Sequence, residues 1–372
     1  MDGNGGAERF ETVIIGGGQA GLSTGYHLRK RGMPFVILDS NERVGDAWRK
    51  RWDSLRLFTP RRFDGLHGMP FPGRGHWMPT KDQMAEYLES YAARFELPVR
   101  TGVRVRRLSL DGAGFVVETT DGKLEAAQVV VATGAYQDPK VPAFAKDLDP
   151  GIVQLHSVDY RNPSQLREGG VLVVGVGNSG ADISLEVVRT HPTWLAGKES
   201  GHIPVRIDSR KGAIGFPVFR FMGHHVLKWS NPIGRKVLPR MKTMAAPLIR
   251  VKPKDLVKAG VQRIPRVAGV REGLPLLEDE QVLNVTNVIW CTGFRHDFSW
   301  IDLPVFDEHE EPKHYRGIVA DQPGLYFTGL ELQYSLSSDV ITGVGRDAEY
   351  LAKHIASHRP ADRVGQPARA IA

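Results

Sequence analysis

The sequence predicts an α/β protein of two Rossmann-like βαβ units, parallel sheets with helices and with a small antiparallel β meander. Three observations carry this. A strand-like run, Thr12 to Ile15, enters Gly16-Gly-Gly18-Gln19-Ala20-Gly21 and continues into a helix-like stretch from Ser23 to Lys30. The same order returns in the second half, where Val171 to Val174 enters Gly175-Val-Gly177-Asn178-Ser179-Gly180. Later apolar strands end in the same dipeptide, Thr133-Gly134 after Val129 and Thr292-Gly293 after Val288. One G-x-G-x-x-G is a common turn, but two copies, each between strand and helix, specify paired dinucleotide sites.

Within each motif the first glycine permits the tight turn and the second lets backbone N–H groups approach a pyrophosphate. The third lets helix and strand pack closely. The pyrophosphate then sits at the positive end of the helix. In the first unit, Pro34 to Leu38 reads as a strand ending at Asp39, 39 − 21 = 18 residues beyond Gly21. An acid there accepts hydrogen bonds from a ribose diol. Ser40 to Trp48, turning at Gly45, reads as a loop and helix start covering the cofactor, and on a continuing helix Trp48 and Trp52 share a face. Residues 60 to 80, rich in Pro and Gly, read as irregular surface structure. Thr80 opens an amphipathic helix to about Phe95, with Met84, Tyr87, Leu88 and Tyr91 on one face. A hairpin series follows: Val99 to Leu110, Phe115 to Thr119, with turns at Asp111-Gly112 and Asp121-Gly122, then a separate buried strand from Val129.

In the second unit the strand after the helix reads as Thr193 to Lys198. Lys198 lies 198 − 180 = 18 residues beyond Gly180, the offset of Asp39 in the first unit. An acid favours a free 2′-hydroxyl and a cation accommodates a 2′-phosphate, so the first unit is expected to hold a dinucleotide without that phosphate and the second NADPH. The alternative is a solvated Lys198 with Glu199 binding a ribose diol.

Composition narrows the classes further. The chain has 372 residues, 41% hydrophobic and 24% charged, enough for two domains. No apolar run approaches the roughly 20 residues of a membrane span. The first nine residues contain no apolar core of a signal peptide. The single cysteine, Cys291, excludes intrachain disulfides and a C-x-x-C redox pair, and fits a reducing cytoplasmic setting. In its strand it reads as a buried, inert thiol. The net charge of +7 is local: residues 206–254 hold 12 Lys or Arg and one acid, a balance of +11, leaving 7 − 11 = −4 elsewhere. A nucleic-acid partner is therefore not expected. The 13 histidines include His224-His225 but show no metal-ligand spacing, so no metal is expected.

With these motifs in place, the chain resembles the flavin-containing monooxygenase-like flavoproteins, in particular their small bacterial CzcO-like branch. Gly16 to Leu22, Gly45-Asp-Ala-Trp48, Leu57-Phe-Thr59-Pro60, Ala132-Thr133-Gly134, Gly175 to Gly180, Cys291-Thr-Gly-Phe294 and Gly324 to Gly329 carry the likeness. The resemblance implies FAD in the first unit and NADPH in the second. The FAD domain would be discontinuous, residues 1–150 and 294–372, with the NADPH domain, 151–293, and its basic insertion, 206–254, between. Asp39 would bind the FAD ribose, Trp48 and Thr59 would lie along the cofactor, and Val105 would back the adenine. Thr133 and Gly134 would line the domain junction. One departure concerns the family fingerprint F-x-G-x-x-x-H-x-x-x-F/Y. Its tail, His156 to Tyr160, is intact, but Pro150 replaces the phenylalanine and Gly151 stands one residue early. His156 is thus a candidate for catalysis or for a structural hinge.

The activity implied is a monooxygenase: NADPH reduces FAD, O2 adds to the flavin as a C4a-hydroperoxide, and one oxygen passes to a small nitrogen, sulfur or carbonyl substrate. A second reading is an NADPH-dependent reductase that passes electrons to a quinone, disulfide or protein carrier. A third is a nucleotide-sensing regulator of a membrane transporter. For that reading, Phe219, Met222, Val226 and Trp229 would form an apolar helical stripe beside Arg220, His224 and Lys228, lying on a membrane surface with residues 216–254. Pro217, Pro232 and Pro239 favour a lid over such a continuous helix.

Overall fold

The computed structural model describes residues 7–358 except 76, 113, 200, 208 and 243–245. β1 (Glu8–Ile15) leads through the first glycine turn into α1 (Gln19–Arg29), which starts at Gln19 rather than Ser23 because Gly18 is its N-cap. β2 (Phe35–Leu38) lies parallel to β1, and its four side chains are all buried. α2 (Asp46–Arg49) is one turn long, so the shared helical face of Trp48 and Trp52 does not form. Trp52 instead drops into the core beyond the helix end, and half-buried Trp48 packs on that core.

The stretch from 60 to 80 is irregular but not superficial, because α3 (Lys81–Arg94) pulls it inward. Its Thr80–Gln83 capping box fixes the helix start. Tyr87 accepts the Leu66 N–H (2.6 Å) and donates to the Met69 carbonyl (2.7 Å), while Tyr91 donates to the His67 carbonyl (2.8 Å). Arg61, Asp64, Leu66, Phe71 and Met78 are consequently buried.

The hairpin expected from Val99 is divided. β3 (Val99–Arg100) runs parallel to β2, and the chain turns at Gly102 (φ 74°) before β4 (Val105–Asp111). β4 pairs antiparallel with β5 (Gly114–Thr119), and β5 with β6 (Gly122–Val131). The buried strand at Val129 is the end of β6, not a separate element. The first half of β6 alternates in burial against β5, while its last four residues are buried on both faces. The first sheet has the order β3-β2-β1-β6-β5-β4.

The chain leaves this sheet through β7 (Asp138–Pro139) and builds a second one. β8 (Val153–His156), β9 (Val171–Val174), α4 (Asn178–Val187) and β10 (Thr193–Ala196) come first. α5 (Arg210–Phe221), a π turn (Met222–Val226), α6 (Pro232–Lys242) and α7 (Pro253–Ala259) follow. β11 (Gln262–Ile264), the hairpin β12 (Val267–Arg271) with β13 (Leu274–Leu277), and β14 (Asn287–Trp290) complete it. The sheet order is β11-β10-β9-β14-β8, parallel throughout. β15 (Phe294–Arg295) returns beside β7. β16 (Leu325–Phe327) then joins β6 in the first sheet, and α8 (Val344–Ser357) packs on α1.

In the basic insertion the apolar stripe expected from Phe219 to Trp229 is broken by the π turn. The Trp229 indole donates to the Leu332 carbonyl (2.7 Å), and His224 Nδ1 contacts the Ser337 hydroxyl (3.1 Å). The segment thus folds down onto residues 332–337. Ile214, Val218 and Phe221 of α5 remain exposed. Among the described residues, no helix is long and apolar enough to cross a membrane.

Candidate dinucleotide sites

The two glycine turns repeat one another in backbone detail. Gly16 and Gly175 have φ of 113° and 112°. The N-caps Gly18 and Gly177 have φ/ψ of −78°/−171° and −76°/−177°. A Cβ on Gly16 would lie 2.4 Å from the Ala132 carbonyl oxygen, and one on Gly175 would lie 2.2 Å from that of Cys291. A Cβ on Gly21 or Gly180 would lie 1.9 Å from the carbonyl oxygen of Gly16 or Gly175. These four glycines are therefore required by packing. Gly18 and Gly177 are not: a Cβ on either meets nothing within 4 Å. Neither helix start has a side-chain cap, so its first N–H groups face that open space, which is a cradle for an anion. Gln19 and Asn178 open the two helices, followed by Ala20 and Ser179. Gly329 approaches Ala20 so closely that its Cβ would stand 2.8 Å from the Ala20 methyl.

Asp39 is 8% exposed and aimed at the first turn. One carboxylate oxygen accepts the Gly17 N–H (2.8 Å) and the other accepts the Asn41 N–H (2.8 Å) and side-chain amide (2.9 Å). Ser40 beside it is exposed. The Val103 N–H donates to the Asp39 carbonyl (2.9 Å), whereas Val105 pairs with Thr119 on β5. Val103 thus stands against the Asp39 turn, and Val105 lies farther along, at the start of β4.

Gly45 has φ 90°, and a Cβ there would meet the Ala85 carbonyl oxygen at 2.6 Å, so α3 itself requires glycine. Thr59 is buried and donates its hydroxyl to Asp64. Burial pushes the Asp64 carboxyl up to about 7, against the opposing pull of the Thr59 hydroxyl and Arg61. The Arg61 guanidinium lies 4.9 Å from the Trp77 ring and donates to the Phe71 carbonyl (3.2 Å). Reading 60–80 as surface hid these two buried side chains, Arg61 and Asp64.

The two Thr-Gly strand ends meet the crossover. The Gln137 amide donates to the Thr133 hydroxyl (2.8 Å) and the Gly134 carbonyl (2.7 Å). Thr292 donates its hydroxyl to the Lys140 carbonyl, and the Lys140 N–H returns a bond to the Gly293 carbonyl (2.9 Å). His156 is buried at the same point. Its Nδ1 accepts the Val158 N–H (3.2 Å), which leaves Nε2 protonated to donate to the Gly293 carbonyl (3.1 Å). Burial lowers its pKa. With both nitrogens bonded to backbone, His156 ties the end of β8 to the Gly293 carbonyl.

At the second strand end the sequence count is off by one. The Gly16 N–H donates to the Leu38 carbonyl (2.7 Å) and the Gly175 N–H to the Ala196 carbonyl (2.9 Å), so Gly197 is the counterpart of Asp39. The first unit takes 38 − 16 = 22 residues over this span and the second 196 − 175 = 21. Lys198 stands one position farther, exposed. The parallel register Leu195–Arg263 brings in a second cation: Arg263 donates to the Gly197 carbonyl (3.0 Å), while its buried Nε has no partner. Arg263 is remote in sequence, and only strand pairing reveals it. Asn178 ties the end of the insertion to α4, accepting the Ile249 N–H (2.9 Å) and donating to the Pro247 carbonyl (3.2 Å). Cys291 lies one residue past the end of β14 and is half-buried rather than fully buried; its Cβ faces Gly180, and burial pushes its thiol up.

Residues 13–197 match the family model described as pyridine nucleotide-disulphide oxidoreductase. A CzcO-like oxidoreductase of Geobacillus kaustophilus is 40% identical, over 94% of this chain and 99% of that protein. The probable indole-3-pyruvate monooxygenase YUCCA9 of Arabidopsis thaliana is 30% identical, over 85% of this chain and 83% of its own. Among solved structures, a flavin-containing monooxygenase from Stenotrophomonas maltophilia matches with a TM-score of 0.74 and 27% identity, covering 94% of this chain and 99% of that one. Two glycine turns of one geometry on two parallel sheets, and a 40% identical relative matched end to end, give one conclusion: the chain belongs to the CzcO-like oxidoreductases, within the flavin-monooxygenase-like proteins.

Proposed function

We propose that the protein is an FAD- and NADPH-dependent monooxygenase that transfers one oxygen atom from O2 to a small nitrogen, sulfur or carbonyl compound. The observation that carries this reading is the pair of open glycine cradles in a chain similar, over nearly its whole length, to a flavin-containing monooxygenase. In this reading residues 1–150 and 294–372 hold FAD and residues 151–293 hold NADPH. The residues fit both groups. Gly18 leaves space for a pyrophosphate and Asp39 stands ready for a ribose diol. Gly197 removes the acid from the second strand end, and Lys198 with Arg263 supplies cations for a 2′-phosphate.

When bound, FAD supplies the redox and oxygen chemistry and NADPH the hydride. The chain positions and encloses them. The N-termini of α1 and α4 hold the pyrophosphates, and Asp39 orients one ribose. Trp48, Thr59, Thr133 and Gly134 line the FAD side, with Thr59 held in place by Asp64. The insertion, docked through Trp229 and His224, excludes water from the junction. A reductase relaying electrons through its own dithiol would need a second cysteine, and Cys291 stands alone. The test supplies NADPH and ¹⁸O2 with a panel of amines, sulfides and ketones. A product carrying one ¹⁸O supports the reading; NADPH consumption with only reduced acceptors as products contradicts it.

A further inference from the structure

We propose that His27, His67 and Glu349 form a binding site for one divalent metal ion of the zinc class, separate from both dinucleotide cradles. His27 lies on α1, His67 in the loop that follows Asp64, and Glu349 on α8. No sequence spacing links them, which is why the histidines show no metal pattern when read in order. The fold brings one ligand atom from each within 4.8 Å of the others. His27 Nε2 and His67 Nδ1 are 2.9 Å apart, with their rings nearly perpendicular at 88°.

That geometry is close to what a metal needs. Two imidazole nitrogens at about 2.0–2.1 Å from a tetrahedral zinc stand roughly 3.3 Å apart. The observed pair need open by only a few tenths of an ångström. The hydrogen bond they now share places one proton between the rings, and a tautomer shift moves that proton to the outer nitrogen and frees both lone pairs. Glu349 supplies an oxygen ligand, and the exposed side of His67 leaves the fourth position to water.

The His67 position is built rather than incidental. Gly345 on α8 makes room for the ring, since a Cβ there would meet three of its atoms at 3.3 Å. Gly68 takes φ 86°, and a Cβ on it would strike the Tyr26 hydroxyl of α1 at 2.5 Å. Tyr91 fixes the His67 carbonyl at 2.8 Å. Cations border the site, among them Lys30 next to His27. Lys353 pairs with Glu349 at 3.0 Å, but with 62% of its side chain exposed it is free to turn into water. Arg31, 4.0 Å from Glu349, is tied to the His27 carbonyl at 2.9 Å. A bound ion would join α1, α8 and the 61–69 loop, fastening the loop that carries Asp64 to the helix of the first cradle.

The experiment uses untagged, flavin-loaded protein, stripped with a chelator and dialysed against Zn²⁺ or Co²⁺, with bound metal counted per chain. The expected result is one ion per chain for the wild type. Affinity should fall by more than about tenfold in His67→Ala and in Glu349→Gln, because losing a ligand costs more than losing a supporting partner. Zn²⁺ should also raise the melting temperature of the wild type by on the order of 3–5 °C at a hundredfold excess over Kd, and not that of His67→Ala. Both positions are at least partly exposed, so the metal-free melting temperatures of both variants report whether they fold. A wild type that binds no metal overturns the proposal, as does a folded His67→Ala that binds as tightly as the wild type.

Discussion

A side chain has room at Gly18 and at Gly177 but at neither Gly16 nor Gly21, so substitution separates ligand space from packing. Gly18→Val is expected to fold, losing about 1 kcal/mol at the helix cap, yet to purify without flavin. Gly177→Val should keep its flavin and raise the KM for NADPH at least about tenfold; flavin absorbance and steady-state kinetics read both. The 2′-phosphate assignment gives a sharper contrast. Removing a charge-assisted hydrogen bond costs about 1.5–3 kcal/mol, so Arg263→Ala should weaken NADPH roughly 10- to 100-fold and leave NADH unchanged. Equal loss for both would contradict the assignment. Asp64 supplies a pH signature. Its folded pKa of about 7 lies above the ordinary aspartate value of about 4, so the folded state holds a proton that the unfolded chain releases. Stability therefore falls as pH rises from about 4 to 7 and levels beyond, by up to a few kcal/mol. Burial pushes the Asp339 carboxyl up to about 7 as well, so in Asp64→Asn the decline of the chemical-denaturation midpoint should become shallower rather than vanish.

Elements show how local rules and tertiary contacts divide the work. Both glycine turns, the α3 start at Thr80 and the Thr-Gly strand ends were legible because each depends on neighbouring residues. The 60–80 loop was misread because its burial comes from Tyr87 and Tyr91, on a helix the loop does not contain. Only the end of β6, from Val129, reads as a strand in the sequence, because the strand changes partner midway from β5 to β16 and its burial period changes with it. Arg263 and the His27–His67–Glu349 cluster were invisible because parallel pairing and α1–α8 packing bring remote residues together. Gly45 tests one such contact. With φ 90° and the Ala85 carbonyl 2.6 Å from a new Cβ, Gly45→Ala should lower stability by about 1–3 kcal/mol. A thermal melt unchanged from wild type would show that α2 and α3 separate freely.

At the scale of the whole molecule, two parallel sheets are joined through β7 and β15, with His156 pinning the crossover to Gly293. The two Thr-Gly strand ends and the Gln137 amide gather around that joint. Cofactors held at the two cradles would work across it, with the protein supplying orientation and exclusion of water. The most direct test is rapid mixing of the purified, flavin-loaded protein, reduced anaerobically with NADPH and then exposed to O2. A monooxygenase should show a transient whose absorbance differs from both oxidised and reduced flavin, persisting before reoxidation and longer with NADP⁺ bound. Direct return to the oxidised spectrum with no such transient would contradict it.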